Sequence, residues 1–267
     1  MRHLPVDIKK PRRNRDDGRR RGGYAVSMDY RSFLTQGLAE LYPAGSKNPL
    51  LPEPRIRERA EQLMVFIREI ERFNGPYGLV KAADRKDLVI RHILDSLAPL
   101  EHIAGLLSAV TGNSGGPGLA DAGSGAGLPG IPLAICLPGV NCTLIERMTR
   151  RADFLRNTLA VLGLSNVTVE EGEIKRAPPG RFALLSFRAL TPLEPGMLKD
   201  LFRLLVPGGR LAAYKGRREK TEAEIAAAGL CRENWELIPL RVPFLEEERH
   251  LAVLSPITVD PPGSLLL

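Results

Sequence analysis

A glycine-rich turn between two apolar runs constrains the fold of this chain more than any other feature. It follows the apolar residues 118–120 and consists of Asp121-Ala122-Gly123-Ser124-Gly125-Ala126-Gly127-Leu128-Pro129-Gly130. A second apolar run ends in Leu144-Ile145-Glu146. Because glycine has no Cβ, the backbone can turn sharply here and approach a ligand closely. The pattern predicts a strand, a turn, a helix and a second strand, with a ligand at the carboxyl edge of a parallel sheet.

Two ligands suit this turn. Gly125-x-Gly127-x-x-Gly130 with Glu146 downstream matches the dinucleotide fingerprint, in which the acid binds a ribose diol. The alternative is S-adenosylmethionine, which has no pyrophosphate. Asp121 favours it because a carboxylate suits sulfonium and ammonium groups, and Pro129 removes a backbone N–H that an anion would use. An ordinary strand-to-helix turn is the third interpretation, which the combination of Asp121 and Glu146 disfavours.

Length and composition restrict the class of protein. A chain of 267 residues with 43% hydrophobic residues holds one large α/β domain with extensions, or two small domains. It has no apolar run of transmembrane length and no signal peptide, which predicts a cytoplasmic protein without membrane contact. The three cysteines form no CxxC pair and predict reduced thiols. We expect no metal site and a monomer.

Most of the net charge of +7 lies near the N-terminus. Residues 1–24 contain nine basic and three acidic residues, a net +6. We expect residues 1–28 to form a disordered basic tail, because such a segment cannot bury apolar surface. Contact with RNA or DNA phosphates, a solvated extension without a role, and a true start at Met28 all remain open. Residues 257–267 are predicted to be a C-terminal tail.

The first half of the chain is predicted to be helical. Residues 29–103 form an N-terminal helical extension, because apolar residues recur at helical spacing within 55–73 and Asn74-Gly75-Pro76 is typical of a helix end. Residues 104–117 are rich in Gly, Ser and Asn and predict a loop insertion. The predicted helices here cover 29–41, 55–73 and 87–100.

Strands and helices alternate over residues 118–256. This order predicts an α/β fold, a doubly wound and mostly parallel sheet that ends in an antiparallel hairpin. The predicted strands cover 119–122, 142–146, 167–170, 182–187, 210–214, 235–242 and 250–254, and the predicted helices 129–137, 149–162, 195–205 and 219–228. Asp121, Gly123, Glu146, Arg188 and Lys215 all fall at strand ends, which predicts one shared site. Four histidines and three scattered cysteines give no metal cluster or nucleophilic triad, so hydrolases and metalloenzymes are disfavoured.

Short motifs occur in a characteristic order from the second predicted helix to the last strand. They are Phe73-Asn74, Arg91-His92-Ile93-Leu94-Asp95-Ser96, the glycine turn extended to Ile131-Pro132, Thr143-Leu144-Ile145-Glu146, Arg150-Arg151-x-x-Phe154-Leu155, Arg188-Ala189, Lys215-Gly216 and Glu248-Arg249-His250-Leu251. Over roughly residues 55–254, the chain resembles the bacterial glucose-inhibited division protein B family (RsmG). RHILDS followed by GxGLPGIP is a specific combination.

The resemblance implies a fold, an activity and a partner. These proteins are Rossmann-like class I methyltransferases that use S-adenosylmethionine to methylate N7 of a guanine in small-subunit (16S) ribosomal RNA. The expected partner is that RNA or the assembling small subunit. The resemblance places the cofactor at Gly123, Leu128, Ile174, Lys175 and Arg188, with Glu146 on the ribose hydroxyls. Ser124 and Gly125 of the glycine turn are further candidate cofactor-binding residues.

The sequence assigns catalytic roles less specifically than it assigns cofactor-binding residues. Arg188 is a candidate donor to guanine O6 or to the cofactor carboxylate, and Lys215 a candidate for RNA phosphate. His92 and Asp95, three residues apart, either cap the methionine end of the cofactor or fasten the N-terminal helices to the sheet. A basic RNA-facing rim is predicted from Arg150, Arg151, Arg156, Arg188, Lys215, Arg217 and Arg218.

The chain departs from the family pattern at three places: Gly78-Leu79-Val80, the reversed charges of Glu173 and Lys175, and Phe187 before Arg188. The departures at Glu173 and Lys175 keep a non-catalytic RNA-binding relative open as an alternative. An NAD(P)-dependent oxidoreductase is the other alternative, disfavoured because no Tyr-x-x-x-Lys set is visible.

Overall fold

A seven-stranded sheet in the order β3-β2-β1-β4-β5-β7-β6 forms the centre of the protein. The computed structural model describes residues 28–43, 51–111, 116–190 and 193–256. The predicted tails, 1–28 and 257–267, therefore lie outside the described residues except for Met28. The strands are β1 Leu119–Ala122, β2 Cys142–Glu146, β3 Val167–Glu171, β4 Phe182–Arg188, β5 Leu205–Lys215, β6 Trp235–Leu240 and β7 Arg249–Leu254.

The strand order confirms the predicted doubly wound sheet. Strands β1 to β5 pair in parallel, and β7 pairs antiparallel with both β5 and β6. The chain runs outward from β1 to β3 and then crosses back to β4, which lies on the other side of β1. The carboxyl ends of β1 and β4 therefore flank a topological switch point, where ligands bind in such sheets.

Side chains alternate between two cores on the two faces of the sheet. Leu119 and Leu144 belong to the larger core, and Ala120 and Ile145 to the smaller one. Every residue of β1 is buried, as expected for a central parallel strand that is covered on both faces. The helices are α1 Tyr30–Leu41, α2 Glu53–Tyr77, α3 Arg85–Thr111, α4 Gly130–Cys136, α5 Thr149–Leu162, α6 Pro195–Arg203 and α7 Arg218–Ala227.

Helix α2 extends further than predicted. Its expected end at residues 74–76 is wrong, because the helix continues to Tyr77 and ends at Gly78, which adopts the left-handed conformation with φ 58°. Pro76 lies in the last turn, where its missing N–H costs a single hydrogen bond. The Gly78 N–H donates to the Asn74 carbonyl at 2.7 Å and closes that turn.

Helix α3 replaces most of the predicted loop at 104–117. The loop prediction is wrong for residues 104–111, since the helix continues to Thr111. Leu100, Ile103 and Leu107 are buried at helical spacing, and this apolar stripe outweighs the exposed small residues between them. The segment Val89–Leu94 of α3 is π-helical. Residues 112–115 lie outside the described part.

By length and composition alone, α3 would also pass for a membrane span, an outcome that the sequence pattern did not predict. Half of its most apolar window is buried inside the protein. A helix that packs one apolar face against a core passes the same test of length and composition, so this result by itself is weak evidence for a membrane span.

Candidate cofactor-binding site

A cavity of about 630 Å³ opens at the carboxyl edge of the sheet. The ends of β1 and β2, the loops after β3 and β4, and helix α6 surround it. This position beside the switch point agrees with the predicted site. The residues that line the cavity include Gly123, Glu146, Arg151, Ile174, Lys175, Leu190 and Met197.

At position 123, the conformation of the turn and the space in the cavity wall both favour glycine. Its φ is 68°, in the left-handed region, and a Cβ built on it would lie 2.8 Å from Leu190 Cδ2. Its N–H donates to the Ile145 carbonyl at 2.9 Å, which ties the turn to the neighbouring strand. The backbone of the turn therefore forms a wall of the cavity without a side chain in the way.

Glu146 closes the turn from the end of β2. Its Oε2 accepts a hydrogen bond from the Gly125 N–H at 2.9 Å, and its Oε1 accepts one from the Met148 N–H at 2.8 Å. Both bonds fix the orientation of the buried carboxylate. Each oxygen keeps a further lone pair, so the carboxylate can accept from the hydroxyls of a ribose.

Asp121 is a fully buried carboxyl at the end of β1. Its Oδ2 accepts from the Gly130 N–H at 3.0 Å, whereas Oδ1 has no hydrogen-bond partner among the described residues. Gly130 permits this contact, because a Cβ on it would lie 2.8 Å from Oδ2. Burial raises the pKa of Asp121 to about 7, against the lowering effects of the Gly130 N–H and the Arg188 charge. A cation placed at Oδ1 would satisfy this carboxylate.

Arg188, at the end of β4, does not line the cavity. Its guanidinium contacts α3, where it donates to Asp95 Oδ2 at 3.2 Å, to His92 Nδ1 at 3.0 Å and to the Arg91 carbonyl at 3.2 Å. Of the two roles predicted for His92 and Asp95, the structure shows the second, since both fasten α3 to the sheet.

The other predicted cofactor-binding residues either support the glycine turn or, like Ile174 and Lys175, line the cavity. The Ser124 hydroxyl donates to the Asp121 carbonyl at 2.8 Å, and Leu128 packs in the core, so neither side chain lines the cavity. Gly125 contributes its N–H to Glu146. Lys175 is exposed and pairs with Glu173 at 3.2 Å. The carbonyls of Ile174 and Lys175 accept from Arg203, which holds this short turn beside the cavity.

Lys215 does not extend into solvent to hold a phosphate. Its ammonium lies 2.8 Å from Glu224 Oε1, and its side chain is only 12% exposed. The same Glu224 oxygen accepts from the Leu193 N–H at 2.8 Å. The predicted phosphate contact is therefore disfavoured, because the charge of Lys215 is already neutralised inside the protein.

Ion pairs occupy most of the predicted basic rim. Arg156, Arg188, Lys215 and Arg218 each pair with a carboxylate, and Arg150 donates to the Pro76 carbonyl. Arg151 lines the cavity, and its side chain makes no hydrogen bond or ion pair with a described residue. The same is true of Arg147, which the sequence patterns missed.

The sequence patterns also did not predict the part of the cavity wall that α6 forms. Met197 and Asp200 of this helix line the cavity, together with Leu190 and Glu194 before it. No motif marks these residues. Their only sequence signal is their position directly after a strand of a doubly wound sheet. Within the described residues, no group of His, Cys, Asp or Glu side chains could hold a metal ion.

Comparison with protein families matches residues 59–252 to the model of the GidB family, described as rRNA small subunit methyltransferase G. The chain belongs to this family. The ribosomal RNA small subunit methyltransferase G of Treponema denticola is 37% identical over 235 residues, which covers 77% of this chain and 91% of that protein. The protein of the same name from Xanthomonas axonopodis pv. citri is 40% identical over 199 residues, covering 73% and 86%.

Among solved structures, a SAM dependent methyltransferase from Aquifex aeolicus aligns with a TM-score of 0.44 and 17% identity, over 60% of this chain and 92% of that one. Membership of the GidB family decides between the two cofactors that suit the glycine turn. The protein is an S-adenosylmethionine-dependent methyltransferase of small-subunit rRNA. The residues present fit that cofactor, since the orphaned Asp121 Oδ1 suits its ammonium group and Glu146 its ribose.

Proposed function

We propose that this protein methylates N7 of a guanine in small-subunit ribosomal RNA, with the glycine turn and Asp121 holding S-adenosylmethionine. The observation that carries the proposal is the cavity at the carboxyl edge of the sheet, which the Gly123 turn and the Glu146 carboxylate line. Asp121, whose buried Oδ1 has no partner among the described residues, lies two positions before that turn. An unpaired buried carboxylate oxygen is costly, and a ligand ammonium would remove that cost.

The main task of the protein in this reaction is to align the methyl donor with the guanine. S-adenosylmethionine supplies the methyl group, and guanine N7 carries a lone pair but no proton, so no general base is needed. Asp121 would hold the ammonium and Glu146 the ribose, which fixes the direction in which the cofactor lies across the turn. Holding two reactants in the reactive geometry is a large part of catalysis for such a transfer.

RNA would meet the protein at Arg147 and Arg151. Both line the cavity, and neither side chain forms an ion pair or a hydrogen bond with a described residue. The charge of Arg147 acts on the Glu173 carboxylate, so Arg151 is the freer of the two to contact a phosphate. We expect the double variant Arg147→Ala, Arg151→Ala to bind small-subunit rRNA roughly tenfold more weakly at low salt. Arg156→Ala is the matched control, because Arg156 on the same helix already pairs with Asp153 and Glu171. Equal losses in both variants would contradict this RNA interface.

A titration with S-adenosylhomocysteine tests the cofactor site. Gly123→Trp should abolish binding, because even a Cβ at Gly123 lies 2.8 Å from Leu190. Gly139→Trp is the control, since nothing lies within 4 Å of a Cβ at Gly139. Failure of the wild type to bind S-adenosylhomocysteine would overturn the proposal.

Methyl transfer tests the substrate. The wild-type protein is incubated with labelled S-adenosylmethionine and either naked small-subunit rRNA or assembled subunits. Nucleoside analysis should then find 7-methylguanosine. A methylated nucleoside of another kind would refute the assignment to N7. We further infer that the protein acts in the cytoplasm, without membrane contact, and that it is a monomer. Light scattering during gel filtration tests the oligomeric state.

A further inference from the structure

A polar cluster joins α3 to two strands beside the cofactor cavity. Asp95 is its centre, because Oδ2 accepts from Arg188 of β4 at 3.2 Å and Oδ1 accepts from Arg249 of β7 at 3.1 Å. His92, one turn earlier on α3, contacts the same Arg188 at 3.0 Å. The Asp95 side chain is 8% exposed, so both ion pairs are largely shielded from water.

The partners of His92 fix its protonation state. Arginine can only donate hydrogen bonds, so Nδ1 accepts from Arg188 Nη2 and carries no proton. The Lys81 carbonyl can only accept, so Nε2 donates to it at 3.2 Å. His92 is therefore the neutral Nε2–H tautomer. Burial and the charge of Arg188 lower its pKa, which agrees with a neutral ring.

These contacts use only part of the Arg188 guanidinium. A guanidinium has five N–H donors. Both donors of Nη1 are used, one on the Arg91 carbonyl and one on Asp95, and Nη2 uses one on His92. The Nε–H and the second Nη2–H have no partner among the described residues. Free N–H groups of a guanidinium suit a carboxylate or a carbonyl oxygen.

The cluster holds Arg188 at the carboxyl edge of the sheet, beside the cofactor cavity. Arg188 interacts electrostatically with Asp121, whose pKa it lowers, so the two groups share one region of the site. Directly after Arg188, Ala189 lines the cavity with φ 55°, which is unusual for a residue other than glycine. The backbone leaves the strand abruptly here, and the Arg188 side chain depends on α3 for its orientation.

We propose that His92 and Asp95 are positioning residues, which hold the Arg188 guanidinium from α3 so that its two remaining donors bind an acceptor oxygen of the reacting ligands. This inference rests on the proposed function. The acceptor is the carboxylate of the cofactor or O6 of the target guanine, two oxygens that the same donors recognise. Neither His92 nor Asp95 touches the ligands itself.

Variants of His92 separate positioning from simple packing. His92→Phe keeps a planar ring but removes the acceptor for Arg188. His92→Asn is the conservative variant, because the amide oxygen of asparagine lies roughly where Nδ1 of histidine does. His102→Phe is the matched control, since His102 is exposed on the same helix and lies outside the cluster. Thermal unfolding of all four proteins shows whether each variant folds.

Two ligands identify the acceptor. S-adenosylhomocysteine has the amino-acid carboxylate, and methylthioadenosine lacks the whole amino-acid part. If Arg188 binds the cofactor carboxylate, His92→Phe should lower the affinity for S-adenosylhomocysteine roughly tenfold and leave the affinity for methylthioadenosine unchanged. His92→Asn should then keep most of the wild-type affinity for S-adenosylhomocysteine. If Arg188 binds guanine O6, both affinities stay at the wild-type level and kcat/KM for rRNA falls by a similar factor.

Other outcomes overturn the proposal. Equal weakening of both ligands by His92→Phe would show general damage to the site, and unchanged affinities together with unchanged kcat/KM would show that Arg188 needs no positioning. Failure of the proposed function is distinguishable, because it appears as missing methyl transfer in the wild-type protein. The comparison of the two ligands requires cofactor binding alone.

Discussion

At the residue scale, the two oxygens of the Asp121 carboxyl group have different surroundings. Oδ2 fastens the glycine turn through the Gly130 N–H, and Oδ1 has no hydrogen-bond partner among the described residues. Full burial raises its pKa to about 7, so the group is partly protonated at neutral pH without a ligand. A cation beside it favours the ionised form.

We predict that cofactor binding releases a proton from Asp121. The ligand ammonium should lower the pKa from about 7, so up to roughly half a proton leaves at pH 7. Calorimetry with S-adenosylhomocysteine in phosphate and in Tris measures this, because the two buffers differ in ionisation enthalpy. Asp121→Asn cannot titrate and should give equal binding enthalpies in both. Equal enthalpies for the wild type would contradict an ammonium at Asp121.

At the element scale, α3 connects the N-terminal helices to the site. Its buried stripe, including Ile103 and Leu107, packs in the larger core, and its first half carries His92 and Asp95. Tyr214 of β5 adds a hydrogen bond, since its hydroxyl donates to the Ser96 carbonyl at 2.8 Å. One helix therefore contributes both to the core and to the orientation of Arg188.

We predict that Gly105→Ala stabilises the protein. Gly105 is exposed within α3, and nothing lies within 4 Å of a Cβ built on it. Alanine in a helix interior is favoured over glycine by about 1 kcal/mol, so the free energy of unfolding should rise by up to that amount in a urea titration. Gly163→Ala is the control and should destabilise, since Gly163 ends α5 with φ 63°. No gain at Gly105 would indicate that this part of the chain is a loop.

At the scale of the whole molecule, most of the net charge lies in a different part of the sequence from the cofactor-site residues. Residues 1–24 carry a net +6 of the total of +7, so residues 28–267 carry only +1. In the described part, ion pairs neutralise several arginines near the cavity, whereas the side chains of Arg147 and Arg151 form no ion pair with a described residue. The long-range attraction to RNA should therefore come mainly from the N-terminus.

We predict that removing residues 1–27 weakens RNA binding without changing cofactor binding. The logarithm of the RNA affinity should fall less steeply with the logarithm of salt concentration, by about 0.7 for each phosphate of single-stranded RNA that the shortened protein no longer neutralises. Filter binding at several salt concentrations measures the slope, and S-adenosylhomocysteine titration is the control. An unchanged slope would mean that the basic segment contacts no phosphate.

Local sequence patterns are sufficient to predict the sheet and the glycine turn. The strand at Cys142–Glu146 and the helix at Thr149–Leu162 lie where the patterns predict them, because a short apolar run and a helical periodicity ending in glycine are local signals. The turn from Asp121 to Gly130 is contiguous in the chain, so its chemistry is visible without a fold. The loop prediction at 104–117 failed because exposed small residues hid the buried stripe of α3.

Packing in three dimensions determines which charged groups remain free for a ligand. Arg188 lies 93 positions after Asp95, and Lys215 pairs with Glu224 of the following helix. No local pattern predicts such pairs, because an ion pair depends on which side chains the packed elements bring within about 4 Å. The residue types at the strand ends follow from the sequence. Packing decides which of these groups are neutralised, and it leaves Asp121 Oδ1 and the Arg151 side chain without a hydrogen bond or an ion pair among the described residues.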